Sequence, residues 1–110
     1  MASPGDVVIV TFQGAVAAKA RPAVVVSSNL YHQTRPDCVV ALLTSNLRAA
    51  NAPTDYVLQD WTSAGLHQPS AFRAYFNMAE SARLLVVGRL SVRDWAAVRT
   101  RLALTFDLTA

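Results

Sequence analysis

Ser70-Ala71-Phe72-Arg73-Ala74-Tyr75-Phe76-Asn77-Met78 is the stretch that decides the architecture. Phe72, Ala74, Phe76 and Met78 fall on one side of a two-residue repeat, and Ala71, Arg73, Tyr75 and Asn77 fall on the other. That is the pattern of a half-buried strand with polar groups displayed on its outer face. Working backwards, residues 55–58 read as a short strand and residues 38–44 as a fully apolar one that ends on the hydroxyl of Thr44. Residues 21–27 form another strand, opened by Arg21-Pro22: the proline holds the arginine extended and is tolerated as a first strand residue. After Gly5, residues 6–12 are a β-branched run and make the first strand. The intervening residues 13–20, 28–37 and 45–53 are small or polar and read as loops.

Working forwards, Asp60 is placed to cap one helical turn over residues 61–64, with Gly65 as its stop. Residues 83–90 are the last strand, and Ser91 and Asp94 fit a capping box. A helix follows, in which Trp95, Val98, Leu102 and Phe106 recur at helical spacing. Six short strands and then one helix predict a mostly β fold with a C-terminal α-helix: a strongly curved antiparallel sheet, or small barrel, with the helix packed on it.

The chain of 110 residues leaves room for a single domain over 1–110. With 53% hydrophobic and 15% charged residues it lies far from disordered compositions. So few charges on a small domain leave apolar surface to be covered, which predicts a homo-oligomer. No apolar run approaches the roughly 20 residues of a membrane-spanning helix. The start lacks the basic segment and apolar run of a secretory signal, so no membrane association and a cytoplasmic location are expected. The lone cysteine, Cys38, sits in an apolar run and is expected as a buried small hydrophobe. Net charge is +3, and nine of the ten basic residues are arginine, whose planar fork suits phosphate and carboxylate.

Several chemistries are excluded. Gly5, Gly14, Gly65 and Gly88 are too far apart for a phosphate-cradling loop. The carboxylates are scattered, so neither a metal site nor a cofactor is expected. No serine lies in a nucleophile elbow. His32 and His67 are of the type used for general acid and base work on RNA, but both fall in predicted loops and are expected to be solvated. Arg21 and Thr44 stand out, each at the loop edge of a strand beside a polar loop. A guanidinium and a hydroxyl together can hold a phosphodiester.

Around these two residues the sequence resembles the MazF/PemK toxins of type II toxin-antitoxin modules. The similar segments are Gly5-Asp6-Val7-Val8-Ile9-Val10, Lys19-Ala20-Arg21-Pro22-Ala23-Val24-Val25-Val26-Ser27-Ser28 and Val40-Ala41-Leu42-Leu43-Thr44-Ser45. Pro53-Thr54-Asp55-Tyr56-Val57-Leu58-Gln59-Asp60-Trp61, Ala64-Gly65-Leu66, Pro69-Ser70-Ala71-Phe72-Arg73 and Gly88-Arg89-Leu90-Ser91 follow in matching order. The resemblance implies an SH3-like barrel in a homodimer, acting as a metal-independent endoribonuclease on single-stranded RNA and neutralised by a cognate acidic antitoxin. It implies that Arg21 and Thr44 carry catalysis, in which the ribose 2′-hydroxyl attacks the adjacent phosphate. Gln13, Lys19, Ser45, Asn46 and Arg73 are the matching candidates for RNA contact. Tyr56 and Trp61 are candidates for base stacking, with Trp61 the more expected in the core. The loop 13–20 is shorter than in many resembling sequences, and residues 74–80 lack the threonine those sequences tend to place there. Two other functions fit the same barrel: a gyrase inhibitor of the CcdB kind, and a module that binds nucleic acid or antitoxin without catalysis. The first relies on an aromatic C-terminal end, whereas this chain ends Asp107-Leu108-Thr109-Ala110.

Overall fold

Strands form where β-branched and apolar residues alternate between two buried faces. The computed structural model describes residues 2–13 and 18–108, with the side chains of Phe12, Gln13 and Ala18 outside the described set. Its strands are β1 (Asp6–Gln13), β2 (Ala18–Val25), β3 (Asp37–Thr44), β4 (Tyr56–Val57), β5 (Ala71–Glu80) and β6 (Leu85–Arg89). They make one antiparallel sheet in the order β4-β5-β3-β2-β1-β6. Helix α1 (Asn29–Thr34) links β2 to β3, and helix α2 (Val92–Phe106) follows β6.

Both faces of the central strands are covered, which explains why β3 reads as a continuous apolar run. Val7, Val24, Ala41, Leu43 and Phe72 point to a core closed by Leu58, Ala64, Leu66, Leu90 and, from α2, Val98, with Trp95 and Leu102 packed against it. Their neighbours Val8, Ala23, Val25, Cys38, Val40 and Leu42 point the other way, into a second cluster. Phe72 is fully buried where β5 pairs with both β3 and β4, so truncation to alanine is expected to cost about 3–5 kcal/mol. Irregular registers between Val7 and Val8 on β1 and between Ala41 and Leu43 on β3 add local twist, and the sheet curls into a half-barrel.

Two glycines let the curl close. The turn that follows β4 lies against β6, and Gly65, at φ +84°, has no room for a β-carbon because the carbonyl of Val87 occupies that space. Gly88 is equally constrained by the carbonyl of Ala64. The chain beyond β4 thereby seals the edge of β6 without ladder hydrogen bonds.

The expected order of strands and the C-terminal helix hold, and Cys38 is buried at 1% exposure. Several local expectations do not. Strand β2 starts at Ala18, so Arg21 and Pro22 lie inside it rather than at its beginning. Proline is tolerated there because β3 pairs with β2 only from Ala23 onward, leaving Pro22 a single neighbour, Ile9 of β1. Residues 28–37 are not all loop: Ser28 caps α1 by accepting the N–H of Tyr31 at 3.1 Å. A helix of six residues is too short to show a periodic apolar stripe. The turn over 61–65 is held by bonds such as Ala64 N–H to Trp61 O rather than forming a helix, and Asp60 does not cap it. Strand β6 is shorter than expected because residues 81–83 form a 3₁₀ turn. Met78 is exposed, so the inward face of β5 ends at Phe76. Among the described residues no helix is long and apolar enough to cross a membrane.

Candidate active site

The ladder between β2 and β3 includes Ala23↔Leu42 and has no rung beyond it on the Pro22 side. Continuing that register by two residues sets Arg21 opposite Thr44, at the point where the strands are no longer paired. Both residues line a cleft of about 400 Å³ at this place, together with Ser45. Ile9, Pro22, Leu43 and Val87 supply its apolar part, and the segment after the sealing turn contributes Gly65, Leu66, His67, Gln68 and Ser70. The Arg21 side chain is exposed and has no hydrogen-bond or ion-pair partner among the described residues. Thr44 is 9% exposed, and its Oγ1 accepts the N–H of Asn46 at 3.1 Å. That bond uses an oxygen lone pair and leaves the hydroxyl proton available to an acceptor in the cleft. Among the described residues the lining includes one guanidinium, one imidazole and three hydroxyl side chains, and no carboxylate. An anion with several acceptor oxygens suits such a surface.

The remaining sequence candidates divide. Ser45 lines the cleft, and Asn46 is tied to Thr44 through its backbone. Lys19 is exposed two residues before Arg21 and so projects from the same side of β2. Arg73 is exposed on β5, with its guanidinium 5.8 Å from the Tyr75 ring, and does not line the cleft. The side chain of Gln13 lies outside the described residues.

Tyr56 and Trp61 are not free to stack on a base. Trp61 packs on the core, and the Tyr56 hydroxyl donates to Asp94 at 2.7 Å. Burial first, and then the Asp94 carboxylate, push the Tyr56 phenol above its usual range. Asp94 is wholly buried and also accepts the N–H groups of Gln59 at 3.1 Å and Asp60 at 2.8 Å. Half of the expected capping box therefore forms: Ser91 accepts the N–H of Asp94 at 3.2 Å, while the Asp94 side chain is diverted to the chain after β4. Asp60 in turn accepts from Arg93 at 2.7 Å and Ser91 at 2.6 Å, and these bonds push its carboxyl down to about 2. This network ties Tyr56, Gln59 and Asp60, in the chain that leads to the wall of the cleft, to the start of α2.

The histidines part company. His32, expected to be solvated, is 7% exposed on α1, with Nε2 2.6 Å from Ser27 Oγ. The Ser27 oxygen also accepts the N–H of Val39 at 3.0 Å, so the pair pins α1 to β3, beside a different cleft. His67 is exposed, as expected, but stands in the wall of the Arg21 cleft. The signal for it was its position just after Gly65-Leu66, where the glycine fixes the loop against β6.

The model of the family described as PemK-like, MazF-like toxin of type II toxin-antitoxin system matches residues 3–106. Among curated proteins nothing matches. Solved structures share the fold. The Mycobacterium tuberculosis toxin MazF-mt6 superposes with a TM-score of 0.76 at 20% identity, covering 96% of this chain and 99% of that one. An endoribonuclease in complex with its cognate antitoxin, from a mycobacterial species, gives a TM-score of 0.75 at 21% identity over 98% and 95% of the two chains. MazF in a MazE-MazF crystal from Deinococcus radiodurans gives 0.74 at 19% identity over 97% of each. With the family model matched over 3–106, the chain belongs to the PemK-like, MazF-like toxins of type II toxin-antitoxin systems.

Proposed function

We propose that this toxin is a metal-independent, sequence-specific endoribonuclease that cleaves single-stranded RNA at the Arg21–Thr44 cleft. The observation that carries the reading is the meeting of an unpaired guanidinium and an available hydroxyl in one cleft whose lining has no carboxylate to repel phosphate. The ribose 2′-hydroxyl attacks the adjacent phosphorus, the bond to the 5′-oxygen breaks, and a 2′,3′-cyclic phosphate and a 5′-hydroxyl remain. Negative charge grows on the non-bridging oxygens in the transition state, where preorganised donors lower the barrier most. Arg21 supplies that stabilisation, and Thr44 holds the phosphate in its reactive pose through its hydroxyl. Lys19, Ser45 and Asn46 extend the donor surface along the strand, with Arg73 and Gln13 as outlying contacts.

The protein acts in the cytoplasm as a homodimer. Exposed Leu85, Val86 and Val87 on the edge strand β6 are apolar surface of the kind a second copy covers. An acidic antitoxin segment occupies the Arg21 cleft in place of RNA, its carboxylates taking the positions of phosphates. The neighbouring structure of an endoribonuclease in complex with its cognate antitoxin supports both the activity and the partner.

The test uses a defined single-stranded RNA in excess EDTA. Fragments ending in cyclic phosphate and 5′-hydroxyl are expected, as is resistance of a substrate with one deoxyribose at the cut position. Normal cleavage at that deoxyribose would overturn 2′-hydroxyl attack.

A further inference from the structure

A 2′-hydroxyl becomes a good nucleophile only as it loses its proton, and neither Arg21 nor Thr44 takes one: a guanidinium stays protonated and a threonine hydroxyl is not basic at neutral pH. We infer that His67 is the general base of this cleft. The inference rests on the ribonuclease reading above. Strand β1 contributes Ile9 to the lining, β3 contributes Leu43 and Thr44, and β6 contributes Val87, none of them titratable near neutrality. Strand β2 contributes the permanent cation Arg21, and the loop that carries His67 adds only Gln68 and Ser70 as polar neighbours. Histidine is the side chain whose charge changes between about pH 5 and 8. It shares this cleft with the fixed positive charge of Arg21 and, among the described lining residues, with no carboxylate. His67 has no hydrogen-bond partner among the described residues, so its ring is uncommitted.

In the step assigned to it, the O2′–P bond forms as the P–O5′ bond breaks. The 2′-hydroxyl proton passes to the neutral His67 ring, and the departing 5′-oxygen takes a proton from water. The imidazolium then returns its proton to the hydroxide so formed. His67 follows Gly65, which is set tightly against β6, and lines the same cleft as Arg21 and Thr44.

The experiment measures single-turnover cleavage of an RNA oligonucleotide carrying one mapped cut site, from pH 5 to 9, with wild type and His67→Ala. It repeats the comparison on the same oligonucleotide with sulfur replacing the 5′-bridging oxygen, a leaving group that needs no acid. The expected result is a wild-type rate that climbs across the histidine range and a loss of about 10²-fold in His67→Ala with that climb flattened. The loss should persist on the sulfur substrate. A His67→Ala rate and profile equal to wild type overturn the inference while leaving the ribonuclease reading intact, and a loss that vanishes on the sulfur substrate overturns the base assignment in favour of an acid. A wild type that cleaves neither substrate overturns the reading itself. Unchanged circular dichroism and melting of His67→Ala separate chemistry from folding, since an exposed loop side chain carries little stability.

Discussion

Removing the Asp94 carboxylate should unfold this protein more readily than removing any exposed charge, because Asp94 is 0% exposed and joins three parts of the chain. It accepts the Tyr56 hydroxyl at 2.7 Å and the backbone N–H groups of Gln59 and Asp60 at 3.1 and 2.8 Å, from the N-terminal turn of α2. Asp94→Ala strands two backbone donors, each at about 1–3 kcal/mol, while the phenol at the rim can turn toward Gln59 or water. Partial rehydration of the cavity trims the sum, and about 3–4 kcal/mol is expected to remain. That is a large share of a total stability of about 5–15 kcal/mol. For a chain of this length it corresponds to a fall of about 10–20 °C in melting temperature. Asp94→Asn keeps the shape but turns one acceptor into a donor facing a donor, so an intermediate loss is expected. Thermal and urea unfolding at fixed protein concentration measure both variants, and an NMR titration of Tyr56 adds an independent reading. The phenol should titrate closer to its ordinary range in Asp94→Asn, while remaining raised by burial, the largest cause of its shift. An Asp94→Ala melting point within about 3 °C of wild type would refute the argument that this carboxylate organises the wall of the cleft.

Three further outcomes follow from the same geometry. The Arg93 guanidinium and the Ser91 hydroxyl hold the Asp60 carboxyl down at about 2, below its ordinary 3.8, so its contribution to stability is present above about pH 4 and is lost as pH falls toward 2. Arg93→Ala removes the main cause, and acid unfolding followed by circular dichroism should shift to higher pH; an unmoved midpoint counts against the pair. Gly88→Ala should destabilise by about 2 kcal/mol or more, because its β-carbon would meet the backbone carbonyl of Ala64, and should depress cleavage by displacing the Gly65–Gln68 wall. A variant that melts and cuts like wild type would show that the seal against β6 is dispensable. Antitoxin and RNA should exclude each other from the cleft, with both affinities falling as salt rises. A ternary complex that cleaves at full rate would contradict the shared site.

The succession of strands along the chain, the wholly apolar β3 and the α2 stripe were legible because they rest on periodicity: alternation in 70–78, an unbroken apolar run in 38–44, and 3.6-residue recurrence from Trp95. The short helix α1 and the turn over 61–65 were not, since neither is long enough to impose a period. The destination of Asp94 was also hidden. A serine followed three residues later by an acid predicts a reciprocal cap, but nothing local reveals that the chain after β4 lies close enough to take the carboxylate for itself. For the site, Arg21 and Thr44 were readable as types at strand ends and as motif positions, although Arg21 sits inside β2 because its neighbour Pro22 spares only the β3 ladder. His67 went unassigned because its place in the cleft depends on Gly65 and Gly88 interlocking, a contact between residues distant in sequence. Tyr56 looked like a stacking platform and is instead packed against the core, while Trp61 packs on the core as expected.

The central claim is that the Arg21–Thr44 cleft cuts RNA by stabilising charge on the phosphate, and the single-turnover rate of Arg21→Ala on a mapped single-stranded RNA tests it most directly. Arg21 is exposed and unpaired among the described residues, so the variant should fold as wild type does. Loss of one preorganised donor predicts a rate lower by about 10²–10³-fold at every pH, with unchanged fragment ends. An Arg21→Ala protein that cleaves the same site within about threefold of the wild-type rate, where loss of such a donor costs at least about 10²-fold, contradicts the account.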